Sequence, residues 1–281
     1  MTEPRGLDLF HLVVQRGGNG IPLLVMHGGM GLDHTYLRPW LDPLGSDRPV
    51  IYYDHRGNGR SAAEASHDAP LTLDTLSADA DALRASLRMP RVIVFGHSFA
   101  AAIAIAYALR FPACTAGVIL CNPALSVEHL AQAAERHHAR FTPAQADAFD
   151  RAFAGHIEGD DDFGRMWATI LPLYFHDPKL SAMSTMLRDT RFRAKAFLDF
   201  VEHFAKVGDL APAVAQITVP VLWIDGEHDW IRADASAAFA QTLENVRHES
   251  LSRSGHFPFV EENERFVAVA SEWIAGAVDR R

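Results

Sequence analysis

The sequence predicts an α/β fold: a mostly parallel sheet flanked by helices and split by a helical insertion. Three observations carry that prediction. Short, nearly uninterrupted apolar runs recur along the chain, as in IPLLVMHGG (21–29) and RVIVFGHS (91–98). Helix-period segments separate these runs. The runs stop after Pro123 and resume near Val219. Strands covered on both faces read as continuous apolar stretches rather than as alternating ones, the pattern of a parallel sheet between helical layers.

Taken in order, strands are expected within 21–29, 48–57 (RPVIYYDHRG), 91–98, 116–123 (AGVILCNP) and 219–229 (VPVLWIDGEHD), with VRHESL as the last. The segment LTLDTLSADADALRASLRM and the stretch from Phe99 to Arg110 read as helices between strands. From Pro123 to Pro212 the pattern is helical throughout, from VEHLAQAAERHHARF to RFRAKAFLDFVEHFAKV. The expected organisation is therefore a core in two parts, 1–122 and 213–281, with an inserted helical cap at 123–212. There is no internal repeat and no low-complexity tract.

Composition narrows the function. The chain has 281 residues, 48% hydrophobic and 22% charged, with a formal net charge of -9. That is the balance of a soluble globular protein, and 281 residues can bury a large core. No dense Lys/Arg cluster accompanies the acidity, which argues against a nucleic-acid or anionic-membrane partner. Cys114 and Cys121 are the only cysteines, too few for a disulfide framework; both are expected to be buried and reduced, in a cytoplasmic protein. The N-terminal segment lacks the apolar region of a signal peptide, and no apolar run is long enough to span a bilayer.

Five motifs bear on chemistry. GHSFA places Ser98 between an apolar strand and an alanine-rich helix, in the strand–turn–helix context of a nucleophile elbow. Small neighbours suit a strained turn, and a hydroxyl there faces the positive end of the helix. A serine that merely caps a core helix would read the same way. A serine nucleophile needs a base. In GEHD, Asp229 lies just beyond a strand end; in SRSGHF, His256 follows the last strand, 27 residues on. His256 would take the Ser98 proton and Asp229 would orient the ring. Asp225 and Glu227 compete with Asp229, but one lies in the strand end and the other comes early in the turn. HGGMG (27–31) is a strand running into a Gly-rich loop, which is either a tight turn or one half of an oxyanion hole. With Ser98 downstream, the oxyanion donors are expected to be the amides of Gly29 and Phe99. DHRGNGRS, with Asp54, Arg56, Gly57, Gly59 and Ser61, reads as a structural loop built on glycines and a buried ion pair.

HGGMG, DHRGNGRS, GHSFA, GEHD and SGHF together resemble the α/β-hydrolase superfamily, in its order and spacing across nearly the whole chain outside the insertion. A serine nucleophile separates the chain from dehalogenases and epoxide hydrolases. HGG-x-G with D-x-RG-x-G-x-S is most similar to the proline iminopeptidase and esterase branch. The resemblance implies an eight-stranded sheet, a cap after the sixth strand, the triad Ser98, Asp229 and His256, and no cofactor. Two departures stand out: Met30 where those peptidases carry proline, and GHSFAA where they carry GGSWGG. An aminopeptidase must also hold a free amine, for which the cap offers Asp160, Asp161, Asp162 and Glu202. Its aromatic residues, Phe149, Phe153, Phe163, Trp167, Phe197 and Phe204 with Met166, suit an apolar acyl pocket instead. Met30, Phe163, Trp167 and Glu202 are the candidate substrate contacts. No metal motif is visible: His137 and His138 are adjacent and face different sides of a helix.

The expected activity is cleavage of a small or medium carboxylic ester, with a small molecule as the only partner. Rival readings are a proline iminopeptidase, a lactonase, a carbon–carbon bond hydrolase and a non-catalytic receptor on the same fold.

Overall fold

The structure, a computed structural model, describes residues 9–63, 70–232 and 234–279. Seven strands form one sheet in the order β1-β3-β2-β4-β5-β6-β7. They are β1 His11–Val14, β2 Leu23–Met26, β3 Val50–Tyr53, β4 Val92–His97, β5 Thr115–Cys121, β6 Val221–Gly226 and β7 Val246–Leu251. Only the β1–β3 pair is antiparallel. Strands β2 to β6 are buried along their whole length, as their unbroken apolar runs require.

Three details differ from expectation. The described residues form seven strands, and among these the helical insertion follows the fifth, where the resemblance implies the sixth of eight. Residues 1–8, the first part of the N-terminal segment read for a leader, lie outside the described residues. Strand β1 was not anticipated: HLVV is a four-residue edge strand whose exposure alternates, and so short an alternation hardly stands out in a sequence. Cys121 is buried as expected, but Cys114 is partly exposed; both thiols are free.

Helices α1 (Leu73–Ser86) and α2 (Ala100–Arg110) pack against each other, and α2 packs against β4 and β5. Thr72 caps α1 in a reciprocal box with Thr75. Between β5 and β6 the described structure is helical: α3 Val127–His137, α4 Pro143–Phe153, α5 Asp160–Ile170, α6 Ala182–Asp189, α7 Ala194–Phe204 and α8 Ala211–Val214. Ser126 caps α3, and Thr142 caps α4 in a box with Gln145. After β6 come α9 (Asp234–Ala240), α10 (Pro258–Glu261) and α11 (Asn263–Trp273).

The strand order explains where a site can form. The chain leaves β2 for β3 on one side, then returns to β4 on the other. The loops beyond β2 and β4 therefore diverge and open a crevice at the carboxyl edge of the sheet. The loops after β5, β6 and β7 end at the same edge, because all these strands are parallel. No described helix is long and apolar enough to cross a membrane.

Candidate active site

Ser98 sits one residue past β4, with φ +56. A non-glycine residue there costs about 1–3 kcal/mol and persists only when its surroundings hold it. They do: Ser98 N donates to Cys121 O at 3.0 Å, and Ser98 O accepts from Ala101 N at 3.0 Å and Ala124 N at 3.1 Å. The turn also needs strand and helix backbones in near contact. A methyl built on Gly96 would lie 2.7 Å from Ala100 C and 2.8 Å from Ala101 Cα. Ala100, standing where the elbow pattern has glycine, is fully buried, so its methyl fits.

His256 follows β7 and is almost wholly buried. Its Nδ1 lies 2.8 Å from Asp229 Oδ2. Since a carboxylate only accepts, Nδ1 carries the proton, and Nε2 is left without a protein partner among the described residues. Asp229 also accepts from Ile231 N at 3.2 Å and, on the same Oδ2, from Asn122 Nδ2 at 2.7 Å. The rivals of Asp229 are elsewhere: Asp225 takes Trp223 Nε1 and lies 2.8 Å from His248 Nε2, and Glu227 is exposed.

Ser98 and His256 line one cavity, together with Gly29 and Phe99. Ser98 Oγ has no hydrogen-bond partner among the described residues, His256 included. The two amides expected as oxyanion donors are also unspent: neither Gly29 N nor Phe99 N donates to a described protein acceptor. Their neighbours differ, since Gly28 N donates to Tyr36 Oη at 2.7 Å, Gly31 N to Asn58 Oδ1, and Ser98 N to Cys121 O. Gly29 has φ +53, a conformation that glycine adopts without the cost a side chain would bring. Phe99 stands at the start of α2, where the helix dipole adds positive potential.

The rest of the lining is mostly apolar, with Leu32, Ala124, Leu130, Phe153, Met166, Ile170, Phe197 and Ile231 among others, and the rings of Tyr36, His97 and Tyr174 also border the cavity. Phe163 and Trp167 also line it. Met30 and Glu202 do not. Met30 is fully buried in the core, and Glu202 lies on the exposed face of α7, 3.0 Å from Lys206 Nζ. An exposed i,i+4 pair is an ordinary helix-surface feature, which the residue type alone could not reveal. Phe149 and Phe204 pack within the core instead of facing the cavity. Of the three acidic residues at the start of α5, Asp160 is engaged with Arg193 Nη1 and Ala194 N and Asp162 with Arg151, Arg165 and Glu158 N, while Asp161 is exposed.

Reading single motifs missed the residues that tie the loops together. Asn122, directly after β5, has φ +43 and holds Asp229. Tyr174 O accepts His256 N at 2.7 Å, and Glu261 takes His176 N on one oxygen and Gly255 N on the other, each at 2.7 Å. These bonds fasten the insertion to the His256 loop. Nothing local in the sequence announces them, because every pair is far apart in the chain except Gly255 and Glu261. In DHRGNGRS, Arg56 pairs with Asp79 of α1, while Asp54 accepts from His34 Nδ1 at 2.6 Å and Arg60 N at 2.8 Å. Burial would raise the Asp54 pKa, but the His34 bond and the charges of His27 and His34 hold it down, to about 2. His27, His55 and His97 are held below the usual histidine value, first by burial. Among the described residues no group of three or more His, Cys, Asp or Glu is arranged to hold a metal ion.

Comparison with known proteins agrees with this architecture. The family model for the alpha/beta hydrolase fold matches residues 21–263, and the chain belongs to that family. It is 26% identical to a proline iminopeptidase of Heyndrickxia coagulans, over 92% of this chain and 91% of that one. Its structure is similar to the crystal structure of proline iminopeptidase from Mycobacterium smegmatis, with TM-score 0.72, 23% identity and coverage of 95% and 94%. It is equally similar to a thermophilic esterase from Thermogutta terrifontis, with TM-score 0.73, 20% identity and coverage of 96% and 94%.

Proposed function

We propose that this hydrolase cleaves an uncharged carboxylic ester of small or medium size through an acyl-enzyme. Ser98 Oγ attacks the carbonyl carbon as His256 Nε2 takes its proton, and Asp229 stabilises the imidazolium. The tetrahedral oxyanion rests on the amides of Gly29 and Phe99. Collapse breaks the ester C–O bond, and His256 returns the proton to the leaving alcohol. Water, deprotonated by the same histidine, then releases the acid and restores Ser98. The absence of a Ser98–His256 hydrogen bond is compatible with this, because a serine hydroxyl turns about one torsion and catalytic contacts often tighten only with substrate. The helices of residues 123–212 act as the cap over the core, 1–122 and 213–281. Two unpaired thiols support a reducing, cytoplasmic setting.

The observation that carries the ester reading is the lining of the cavity. Among the described residues no carboxylate lines it beside Ser98, and the cap acids named as amine-holding candidates are in ion pairs or on the surface. A protonated α-amine would enter this space without a counter-charge, a loss of several kcal/mol. The names of the relatives support the rival reading, a proline iminopeptidase.

The test compares p-nitrophenyl butyrate with proline p-nitroanilide. The ester is expected to turn over and the anilide not, with Ser98→Ala inactive but folded. Turnover of the anilide at the higher kcat/KM would favour the peptidase, and an active Ser98→Ala protein would end the serine mechanism.

A further inference from the structure

The proposed mechanism needs two loops at a fixed distance: the one after β2, carrying Gly29, and the one after β7, carrying His256. A buried chain of three hydrogen bonds joins them. Gly28 N donates to Tyr36 Oη at 2.7 Å, Tyr36 Oη lies 2.9 Å from His97 Nδ1, and His97 Nε2 lies 2.8 Å from His256 O. His97 is the residue before the proposed nucleophile.

Proton positions along this chain follow by elimination. The carbonyl of His256 only accepts, so His97 Nε2 carries hydrogen. A neutral His97 then accepts at Nδ1, so the Tyr36 hydroxyl donates to it. That hydroxyl in turn accepts from Gly28 N. One arrangement satisfies every group, and burial keeps His97 neutral, as the arrangement demands. Aromatic packing fixes both rings. Phe257 and Phe259 lie 6.1 and 6.4 Å from the Tyr36 ring and 5.3 and 5.1 Å from that of His97, whose ring is 4.7 Å from that of His256. Neither bond from His97 is needed to fold β4, whose ladder is made by backbone.

We propose that Tyr36 and His97 are positioning residues that hold the Gly29 oxyanion donor and the His256 base in register across Ser98. The proposal rests on the serine-hydrolase reading above. It makes Tyr36 and His97 act on the transition state, where the oxyanion and the imidazolium appear together, and hardly on substrate binding.

The experiment measures kcat and KM on p-nitrophenyl butyrate, inhibition by a trifluoromethyl ketone, and thermal midpoint, for the wild type, Tyr36→Phe, His97→Gln and His97→Leu. Tyr36→Phe keeps the ring and removes two bonds. Glutamine offers an acceptor and a donor, as neutral histidine does; leucine offers neither. Tyr36→Phe is expected to lose about 10- to 100-fold in kcat, with KM little changed and the ketone weakened by the same factor. His97→Gln should recover most of the activity that His97→Leu loses. Full kcat in Tyr36→Phe, or a loss confined to KM, would overturn the proposal. So would a folded His97→Gln no better than His97→Leu. Fluorophosphonate labelling of Ser98 separates the two levels. An unlabelled wild type overturns the hydrolase reading and this proposal with it, while a labelled wild type beside a fully active Tyr36→Phe overturns this proposal alone.

Discussion

Asp229 Oδ2 accepts hydrogen from His256 Nδ1 at 2.8 Å and from Asn122 Nδ2 at 2.7 Å, so the imidazole and the amide meet on one carboxylate oxygen. Asn122 thereby fixes the direction from which Asp229 meets the ring. Asn122→Leu should lower kcat by about 10-fold through a less well oriented base, while Asp229→Asn, which no longer favours the required tautomer, should lose about 1,000-fold or more. Steady-state kinetics on p-nitrophenyl butyrate provide the check. Equal losses in the two variants would mean that the amide, not the carboxylate, organises the ring.

Gly96 allows the approach of β4 and α2 that presents Ser98. Gly96→Ala places a methyl against the backbone of Ala100 and Ala101, atoms that cannot turn aside as a side chain can. Overpacking of this kind costs about 1–3 kcal/mol. Denaturant midpoint and ester turnover should both fall, turnover by about 100-fold because the hydroxyl is displaced. A variant of normal stability and activity would show that the turn has more room than the structure gives it.

The apolar cavity predicts discrimination by charge at constant shape. Butyrylcholine and 3,3-dimethylbutyl butyrate have nearly the same outline and differ in one positive charge. The neutral ester should be preferred by about 100-fold or more in kcat/KM, since aromatic faces alone offset only part of the cost of an unpaired cation. Comparable values would point to a counter-charge within reach of the leaving group.

Stability should begin to fall in mild acid. His27, His55 and His97 have folded pKa values below the ordinary 6.5, set first by burial. Below pH 6.5 the unfolded chain takes up protons that the folded chain refuses, so stability present above that pH is lost as pH falls. Each such histidine steepens the loss by about 1.4 kcal/mol per pH unit. Asp54 acts lower: with its pKa held to about 2, its contribution persists above the usual carboxylate range and disappears only as pH falls from about 4 towards 2. Urea midpoints at pH 7.5, 6.5, 5.5 and 4.5 test the histidines, and points at pH 3.5 and 2.5 test Asp54. A midpoint constant down to pH 4.5 would remove the histidines from the account.

What could be read along the chain was whatever neighbours in sequence decide. Continuous apolar runs marked the buried parallel strands, because burial on both faces leaves no polar alternation. Gly96, Ser98 and the alanines after them marked the elbow, because a tight strand-to-helix turn is a local event. Gly29, Phe99, Asp229 and His256 were found by order and spacing, and all but Asp229 line one cavity with Ser98, Asp229 standing behind His256. Folding alone decided the rest. Met30 is a core residue and Glu202 a surface one, which depends on how helix and loop are rotated about their axes. The bonds from Asn122 to Asp229, from Tyr36 to His97 and from Glu261 to the insertion join distant segments, and a hydrogen bond across such a gap leaves no periodicity to read. Whether the cap would offer a charge or an oily wall was equally hidden, because only the folded chain shows whether each of its acids pairs, faces solvent or enters the cavity.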